Sequence, residues 1–404
     1  MFRIRMQERD IMENFVNYTP TKVVFGKDTQ KETGRLIREA GGSRVLIVYG
    51  GGSAVRSGLL SAVEASVSDA GLAYESFGGV KANPTLAHAR EGVKRATDFG
   101  ADFILGIGGG SVIDTAKAIA HGTAMAGSDL WEIWLGKIAL TRSLPVGVVL
   151  TIPAAGSEMS DSAVLTNEET KQKRGINTDF NRCRFAVMNP CLAMTLPKVQ
   201  LSNGITDIMM HTMERYFIPD SHCDLTDEIA EGLLRTVIKN GRKLMKDQTD
   251  YDAMAEIMWC SSISHNGLTG LGRNRDFSVH ALGQALGGRY DFTHGATLSA
   301  VWEAWAKYLY LEDGALPRFA QFARKVWGVD YEDDRKAAEA GIEKTTAFFR
   351  ELDMPVTISM LGAAPSDEEC MELAREATRE GKRPLTRIRP LGIEETAEIF
   401  RLAR

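Results

Sequence analysis

The sequence predicts an α/β domain with a doubly wound parallel sheet, followed by an all-helical domain. From about residue 22 to about 190, short β-rich runs alternate with amphipathic helical patterns, as expected of right-handed βαβ units. After Leu196-Pro197 the strand-like runs end and long helical patterns follow. We therefore expect two domains, over residues 13–198 and 199–404.

The first half contains five predicted strands separated by helical patterns. The strands are 44–50, 73–78, 102–108, 146–153 and 184–190. The runs at 44–50 and 102–108 are nearly continuous in apolar character, which is typical of parallel strands covered on both faces. The helical patterns between strands fall at 54–70, 85–99 and 111–121.

The second half contains helical patterns of 3.6-residue periodicity. They cover 203–217, 223–246, 251–268, 276–288, 295–309, 317–326, 335–352, 367–380 and 393–403. In open α/β sheets ligands bind beyond the carboxyl ends of the strands, so we expect the second domain to close a cleft there.

Length and composition restrict the class of protein. A chain of 404 residues is too long for one ordinary core. The net charge is −5 without a dense Lys/Arg block, so we expect neither nucleic acid nor an anionic membrane as a partner. The five scattered cysteines lack a C-x-x-C pair and are typical of reduced thiols. No apolar stretch reaches membrane-spanning length, and we expect a cytoplasmic protein.

Two glycine-rich turns follow strands, at 49–53 and 106–111. Glycine lets the backbone approach a phosphate, and a following helix N-terminus offers unpaired N–H groups. A single such turn does not establish nucleotide binding, because tight strand-to-helix turns also need glycine for steric reasons. Two turns in one sheet favour nucleotide binding.

The end of the first predicted strand indicates which dinucleotide is bound. A carboxylate near this position would hydrogen-bond a ribose 2′-hydroxyl and repel a 2′-phosphate. Here Tyr49 is followed by three glycines and Ser53, with Arg56 close behind. This pattern favours NADP over NAD. A plain turn with a solvated Arg56 would also explain the same sequence.

The stretch GITDIMMHTMERYF places Asp207 and His211 four residues apart, on one face of a helix. A solvated polar stripe would also explain this pair. His280 and His294 lie on successive segments separated by the helix-breaking residues 287–291. One carboxylate and three imidazoles would suit iron(II), zinc or manganese.

Five motifs in this order resemble the iron-containing alcohol dehydrogenases. They are GIGGGSVIDTAK (106–117), IPAAGSEM (152–159), GITDIMMHTMERY (204–216), His280 and THGATL (293–298). The segments 13–27 and 49–53 are most similar to the butanol dehydrogenase branch. The resemblance covers residues 13–404 and implies a Rossmann-like N-terminal domain, a helical metal-binding domain and a homodimer, in a dehydroquinate-synthase-like architecture.

The resemblance also implies the site residues. The metal ligands correspond to Asp207, His211, His280 and His294. The cofactor contacts correspond to Gly50, Gly51, Gly52, Ser53, Asn83, Gly109, Gly110, Ser111, Asp114, Thr151, Ser157 and Lys173, with Asp114 near the nicotinamide end. The implied reaction is hydride transfer between nicotinamide C4 and a carbonyl or alkoxide held by the metal, which interconverts aldehydes and primary alcohols.

Three positions depart from the branch. Gln284 occupies the place of a second histidine one turn after His280, Ala155 replaces a threonine, and Ser160 replaces an asparagine. Glutamine can hydrogen-bond a substrate but cannot titrate, so we expect His265 to take over that role. The predicted catalytic residues are Asp114, His280, Gln284 and His265.

Two alternatives remain open from the sequence. A dehydroquinate-synthase-like lyase would act on a phosphorylated sugar acid and would need several cations near the ligands, where only Arg273, Arg275 and Arg289 are found. A non-catalytic nucleotide-binding sensor is favoured only by the histidine missing at Gln284.

Overall fold

The computed structural model describes residues 12–219, 222–274, 276–312 and 314–404. These residues form two compact units. The sheet unit comprises Thr19–Leu201 and Asp247–Ser262. The helical unit comprises Ser202–Lys246 and Ile263–Arg404, with the described residues up to Tyr18.

Within the described residues, the sheet unit contains a six-stranded parallel sheet in the order β1-β8-β5-β4-β2-β3. Its strands are β1 (Lys22–Phe25), β2 (Arg44–Gly50), β3 (Ala73–Val80), β4 (Phe103–Gly108), β5 (Val146–Leu150) and β8 (Phe185–Met188). The predicted α/β fold class is confirmed. From β2 the chain proceeds outward to β3 and then returns to pair β4 with the other side of β2. The strand order therefore reverses between β2 and β4, the two strands followed by the glycine-rich turns.

Helices cover both faces of this sheet. They are α1 (Thr33–Glu39), α2 (Ser53–Arg56), α3 (Leu59–Asp69), α4 (Leu86–Phe99), α5 (Gly110–Ala124) and α6 (Leu130–Trp134). Apolar side chains of α1 and α3 pack with Val45, Ile47 and Leu105 of the strands. Residues of α4, α5 and α6 form a second cluster with Ala163 and Leu165. The sheet is thus doubly wound.

An antiparallel hairpin of β6 (Ser162–Asn167) and β7 (Gln172–Asn177) lies outside the main sheet. The sequence analysis did not predict it, nor β1, α1 and α6. Buried and half-buried residues alternate along β6, as expected of a ribbon with one covered face. Its polar residues Ser162, Thr166 and Asn167 weaken the apolar signal on which a strand prediction depends.

The second half of the chain is mostly helical. Its helices are α7 (Lys198–Tyr216), α8 (Asp224–Lys246), α9 (Tyr251–His265), α10 (Ser278–Tyr290), α11 (His294–Leu309), α12 (Ala315–Trp327), α13 (Asp334–Glu351), α14 (Asp367–Ala377) and α15 (Ile393–Leu402). Each predicted helical segment overlaps an observed helix. An aromatic cluster of Phe217, Trp302, Trp305 and Phe319 packs in the helical unit. Within the described part of the chain, no helix is both long and apolar enough to cross a membrane.

Candidate active site

Helix α7 carries three functional side chains on one face. Asp207, His211 and Glu214 follow the spacing i, i+4 and i+7, which places them one above another. Each is buried, and so are the apolar residues between them. The helix therefore carries its polar stripe inside the protein, which excludes the solvated-stripe explanation of the Asp207–His211 pair.

The carboxylate of Asp207 faces three imidazole rings of the helical unit. Its Oδ1 lies 3.3 Å from His211 Nδ1, 3.4 Å from His280 Nε2 and 3.7 Å from His294 Nε2. Ligand atoms of Asp207, His280 and His294 all lie within 4.8 Å of one another. His211 does not belong to that mutual set, although its ring contacts His280 with centroids 4.3 Å apart.

A close approach of α11 to α7 brings His294 to this cluster. A Cβ added at Gly295 would lie 2.4 Å from the carbonyl oxygen of Asn203, so only glycine fits here. Ala296 N donates to Asn203 Oδ1 at 2.8 Å, which satisfies an otherwise unpaired amide in the first turn of α11. The short DFTHGATL motif thus fixes where α11 begins.

Glu214 fixes the start of α10 and the ring of His280. Its Oε1 accepts hydrogen bonds from Val279 N at 2.5 Å and His280 N at 3.3 Å. Its Oε2 accepts from His280 Nδ1. Because Nδ1 carries this proton, Nε2 of a neutral His280 presents its lone pair to Asp207, the arrangement that a metal-binding histidine adopts.

The cluster contains buried polar atoms without hydrogen-bond partners in the described part of the chain. They include Asp207 Oδ1, His211 Nδ1 and His280 Nε2. Leaving such atoms unpaired costs about 1–3 kcal/mol each, and Asp207 Oδ1 lies close to both ring nitrogens. A divalent cation bound by oxygen and nitrogen would satisfy them together, so these residues fit the predicted metal.

The protonation of the cluster is governed by burial and by neighbouring charges. Burial, and then the neighbouring imidazoles and Arg215, hold the pKa of His211 well below its usual range. Burial also opposes a charge on His280, but Glu214 and Asp207 outweigh it and raise its pKa to about 9. Burial raises the pKa of Glu214 against the effect of His280.

His265 lies beside this cluster at the end of α9. Its ring centroid is 4.0 Å from that of His211, and its Nδ1 lies 2.9 Å from Arg215 Nη2. Gln284 is half-buried on α10, one turn after His280. The structure therefore brings His265 next to the predicted ligand His211. Gln284 lies one turn after the predicted ligand His280 on α10.

In the sheet unit, the two glycine turns follow adjacent strands. Gly50 ends β2, Gly51 and Gly52 follow, and Ser53 begins α2. Arg56 turns back over this segment, since a Cβ added at Gly52 would lie 2.8 Å from Arg56 Nη1. A Cβ added at Gly50 would instead make ordinary contacts of 3.6 Å or more, so a side chain fits there.

The second turn leads directly into α5. Gly109 precedes this helix, while Gly110 and Ser111 open it. A Cβ on Gly109 would lie 2.9 Å from Ile152 Cβ, and one on Gly110 would lie 3.2 Å from Ala155 Cβ. Close packing against Ile152 therefore requires glycine at position 109, independently of any ligand.

The remaining predicted cofactor contacts lie in three places. Lys173 Nζ donates to Asn83 Oδ1 at 2.9 Å, so these two predicted residues lie together. Thr151 follows β5, and its amide donates to Gly108 O at 3.1 Å. Asp114 and Ser157 belong to a separate network, in which Ser157 Oγ donates to Asp114 Oδ1 at 2.6 Å.

The network around Asp114 is centred on Lys117, which is fully buried. Lys117 Nζ donates to Ser157 O at 2.7 Å, Ser157 Oγ at 2.9 Å and Ser162 O at 2.7 Å. Asp114 Oδ2 accepts from Val164 N at 3.0 Å. Burial raises the pKa of Asp114 although Lys117 opposes this effect. These contacts hold residues 157–164 against α5.

The sequence analysis did not identify Glu214, Arg215 or Lys117 as functional or supporting residues. Glu214 had a readable signal, because it lies seven residues after Asp207 on the same helical face. Arg215 and Lys117 had none: each acts through backbone carbonyls and side chains that come from distant segments.

Comparison with known proteins defines the family. Residues 20–190 match the family model for iron-containing alcohol dehydrogenase, and residues 201–403 match the model for the C-terminal part of that family. The chain belongs to the iron-containing alcohol dehydrogenases. The predicted family and the predicted class of alcohol/aldehyde oxidoreductase are confirmed.

Individual relatives place the chain near the butanol dehydrogenases. It is 37% identical to NADH-dependent butanol dehydrogenase A of Clostridium acetobutylicum, over 96% of this chain and 99% of that protein. It is 34% identical to the NADPH-dependent aldehyde reductase YqhD of Escherichia coli, over 87% and 90%. The crystal structure of butanol dehydrogenase A from Thermotoga maritima superposes with a TM-score of 0.93 at 35% identity, covering 98% and 99%.

The lyase and sensor alternatives are not favoured by these comparisons. In the structure, Arg273 donates a hydrogen bond to Asp227. Arg289 forms ion pairs with Glu369 and Glu372. Arg275 lies outside the described residues. The two described arginines are thus occupied by carboxylates of the protein itself.

Proposed function

We propose that this chain interconverts aldehydes and primary alcohols with a nicotinamide cofactor and a divalent metal ion. The ligands are Asp207, His211, His280 and His294, and the metal is iron(II), with zinc or manganese as substitutes. The observation that carries this proposal is the buried Asp207 Oδ1, which faces three imidazole nitrogens at 3.3 to 3.7 Å.

When bound, a divalent ion supplies a Lewis acid that polarises the substrate carbonyl. The chain's own residues prepare this site. Glu214 holds the ring of His280 with Nε2 directed at Asp207. Asn203 and the close contact at Gly295 hold α11 in place, so that His294 joins the cluster. His280 and His294 are therefore oriented before a metal ion binds.

The cofactor site is proposed to lie at the two glycine turns of the domain over residues 13–198. We expect the pyrophosphate at the start of α5, with Asn83 and Lys173 as further contacts. The reversal of strand order between β2 and β4 supports this location. Arg56, curled over Gly52, supports NADPH over NADH, and the relatives include both NADH- and NADPH-dependent enzymes.

The proposed enzyme acts in the cytoplasm as a homodimer. The edge strands β1 and β3 of the open sheet carry unpaired backbone groups that favour pairing with a second chain. The helical domain over residues 199–404 would supply the metal ligands of each subunit.

The test is the oxidation of NADPH and of NADH with butanal. Protein stripped with a chelator is compared with protein reloaded with iron(II) or zinc. We expect activity to vanish with the metal and return with it, and to be higher with NADPH. Absence of turnover with either metal, in protein that still binds NADPH, would contradict the proposal.

A further inference from the structure

Arg215 makes contacts that the ligand set does not require. It is buried on α7 directly after Glu214. Its Nη1 donates to His211 O at 2.5 Å and to Ser264 O at 2.8 Å. Its Nη2 lies 2.9 Å from Nδ1 of His265, and its guanidinium lies 4.7 Å from the ring centroid of Phe277.

This geometry determines where the proton of His265 resides. A guanidinium has only donors and keeps its charge at all physiological pH values. Nδ1 of His265 must therefore accept from Arg215, and a neutral His265 carries its proton on Nε2. The same contacts orient the ring, which lies between His211 at 4.0 Å and Phe277 at 6.1 Å between centroids.

His265 is half-buried, as His294 is. His211 and His280 are buried, whereas part of His265 is open to solvent. It also stands next to the ligand cluster without belonging to the set of Asp207, His280 and His294. Gln284, one turn after His280, offers an amide where the resemblance to the butanol dehydrogenases implies an imidazole.

We infer that Arg215 is a positioning residue that holds His265 as the Nε2–H tautomer, and that this N–H donates a hydrogen bond to the reacting oxygen of the substrate. The inference rests on the proposed aldehyde/alcohol activity. His265 neither gains nor loses a proton in this role. It stabilises the negative charge that develops on the oxygen during hydride transfer, in place of an imidazole at position 284.

The role of Arg215 is tested by the tautomer itself. The ¹⁵N shifts of selectively labelled histidine distinguish the Nε2–H from the Nδ1–H form, and the His265 signals are assigned by their loss in His265→Gln. We expect Nε2–H in the zinc-loaded wild type, a mixture of tautomers in Arg215→Met, and Nε2–H again in Arg215→Lys. An Nδ1–H form in the wild type, or an unchanged signal in Arg215→Met, would overturn the assignment.

The role of His265 is tested by two amides of different length. In His265→Gln the amide nitrogen reaches the place of Nε2, whereas in His265→Asn it reaches only that of Nδ1. We expect His265→Asn to lose roughly 100-fold in kcat with an unchanged KM for NADPH, because one donor to the developing charge is missing. His265→Gln should retain most of kcat. Equal losses in two variants of wild-type melting temperature would overturn this role.

The two tests separate the inference from the proposed function. A wild type that reduces no aldehyde refutes the proposed function and the substrate contact of His265 together. The ¹⁵N measurement still decides whether Arg215 sets the tautomer, because it requires no turnover. Should Arg215→Met unfold, the tautomer seen in the wild type and in Arg215→Lys decides the same point.

Discussion

Asp207 and Asp227 are both buried in the helical unit, and they differ in the groups that face the carboxylate. Asp227 accepts from the guanidinium groups of Arg273 and Arg318, so donors of the protein surround it. Asp207 Oδ1 faces imidazole nitrogens, atoms of the kind that bind metal ions, and has no hydrogen-bond partner within the described residues. The first site is complete within the chain, and the second requires a cation.

The site around Asp227 also stabilises the end of α7, the helix that carries Asp207. Arg318 donates to Tyr216 O through Nε at 3.1 Å and Nη2 at 2.6 Å, and Arg273 Nη1 donates to it at 3.2 Å. These cations satisfy a terminal carbonyl of α7, where positive charge is favourable. Asp227, Arg273 and Arg318, here called the Asp227 cluster, therefore anchor the end of α7. This is the helix that carries Asp207, His211 and Glu214. Burial of a charge alone does not indicate function; the nature of its partners does.

The largest expected effect comes from removing a ligand. His280→Ala should lower kcat/KM of the metal-supplemented enzyme by about 1000-fold or more, since several kcal/mol of charge stabilisation are lost. Binding of NADPH should remain. Steady-state kinetics measure kcat/KM, and a fluorescence titration measures the binding of NADPH. His222→Ala, at an exposed histidine, is the matched control, and retained turnover in His280→Ala would remove the metal site from the account.

The Asp227 cluster should affect stability and not metal content. Asp227→Ala leaves two buried arginines without their carboxylate, and we expect a loss of about 3–5 kcal/mol in the free energy of unfolding. Denaturant unfolding measures this, and the folded fraction should bind metal as the wild type does. A stable variant that has lost its metal would show that the two clusters are not separate in role.

The pH dependence of the same cluster has a definite sign. Burial alone would raise the pKa of Asp227, but Arg318 and Arg273 outweigh it and lower the pKa. A carboxyl whose pKa is lower in the folded state stabilises the protein above its unfolded value of about 3.9, and this contribution disappears as the pH falls below it. We expect Asp227→Asn to flatten the acid side of the stability profile, and an unaltered profile would contradict the pairing.

Glu214→Gln tests the support of the metal site without deleting a ligand. The amide cannot hold His280 Nδ1–H as the carboxylate does, so we expect metal affinity to fall by about 10- to 100-fold. Competition with a chromophoric chelator measures the affinity. The variant should remain folded, and an unchanged affinity would reduce Glu214 to a cap of α10.

The smallest effect is expected at the first glycine turn. Gly50→Asp adds a carboxylate at the end of β2, where a Cβ has room. Repulsion of a 2′-phosphate and a bond to a 2′-hydroxyl should shift the NADPH/NADH ratio of kcat/KM about tenfold towards NADH, which corresponds to about 1.4 kcal/mol. Gly50→Ala is the control. An unchanged ratio would show that this turn does not contact the 2′ position.

The sequence predicted those parts of the molecule in which one local pattern determines one structure. The strand at 44–50 is observed with the same bounds, because a continuous apolar run between turns has few alternatives. Asp207 and His211 were recognisable from helical spacing, and His280 and His294 from their motifs. The hairpin of β6 and β7 was missed because its strands are polar on one side.

The residues that prepare the site were harder to predict. Glu214 was missed although it continues the face of Asp207, because nothing in the sequence says that its carboxylate meets the start of α10, 65 residues later. Arg215 bonds a carbonyl at position 264, 49 residues away. Such contacts depend on how helices pack, and helical periodicity carries no information about the partner of a given face.

The central claim is that one divalent ion lies between Asp207 and the three imidazoles. Anomalous diffraction at the iron and zinc absorption edges, from crystals of metal-loaded protein, tests it directly. The account predicts one peak per chain, about 2.0–2.2 Å from Asp207 Oδ1 and from ring nitrogens of His211, His280 and His294. Fully loaded protein whose peak lies elsewhere, or whose peak persists in His280→Ala, would contradict it.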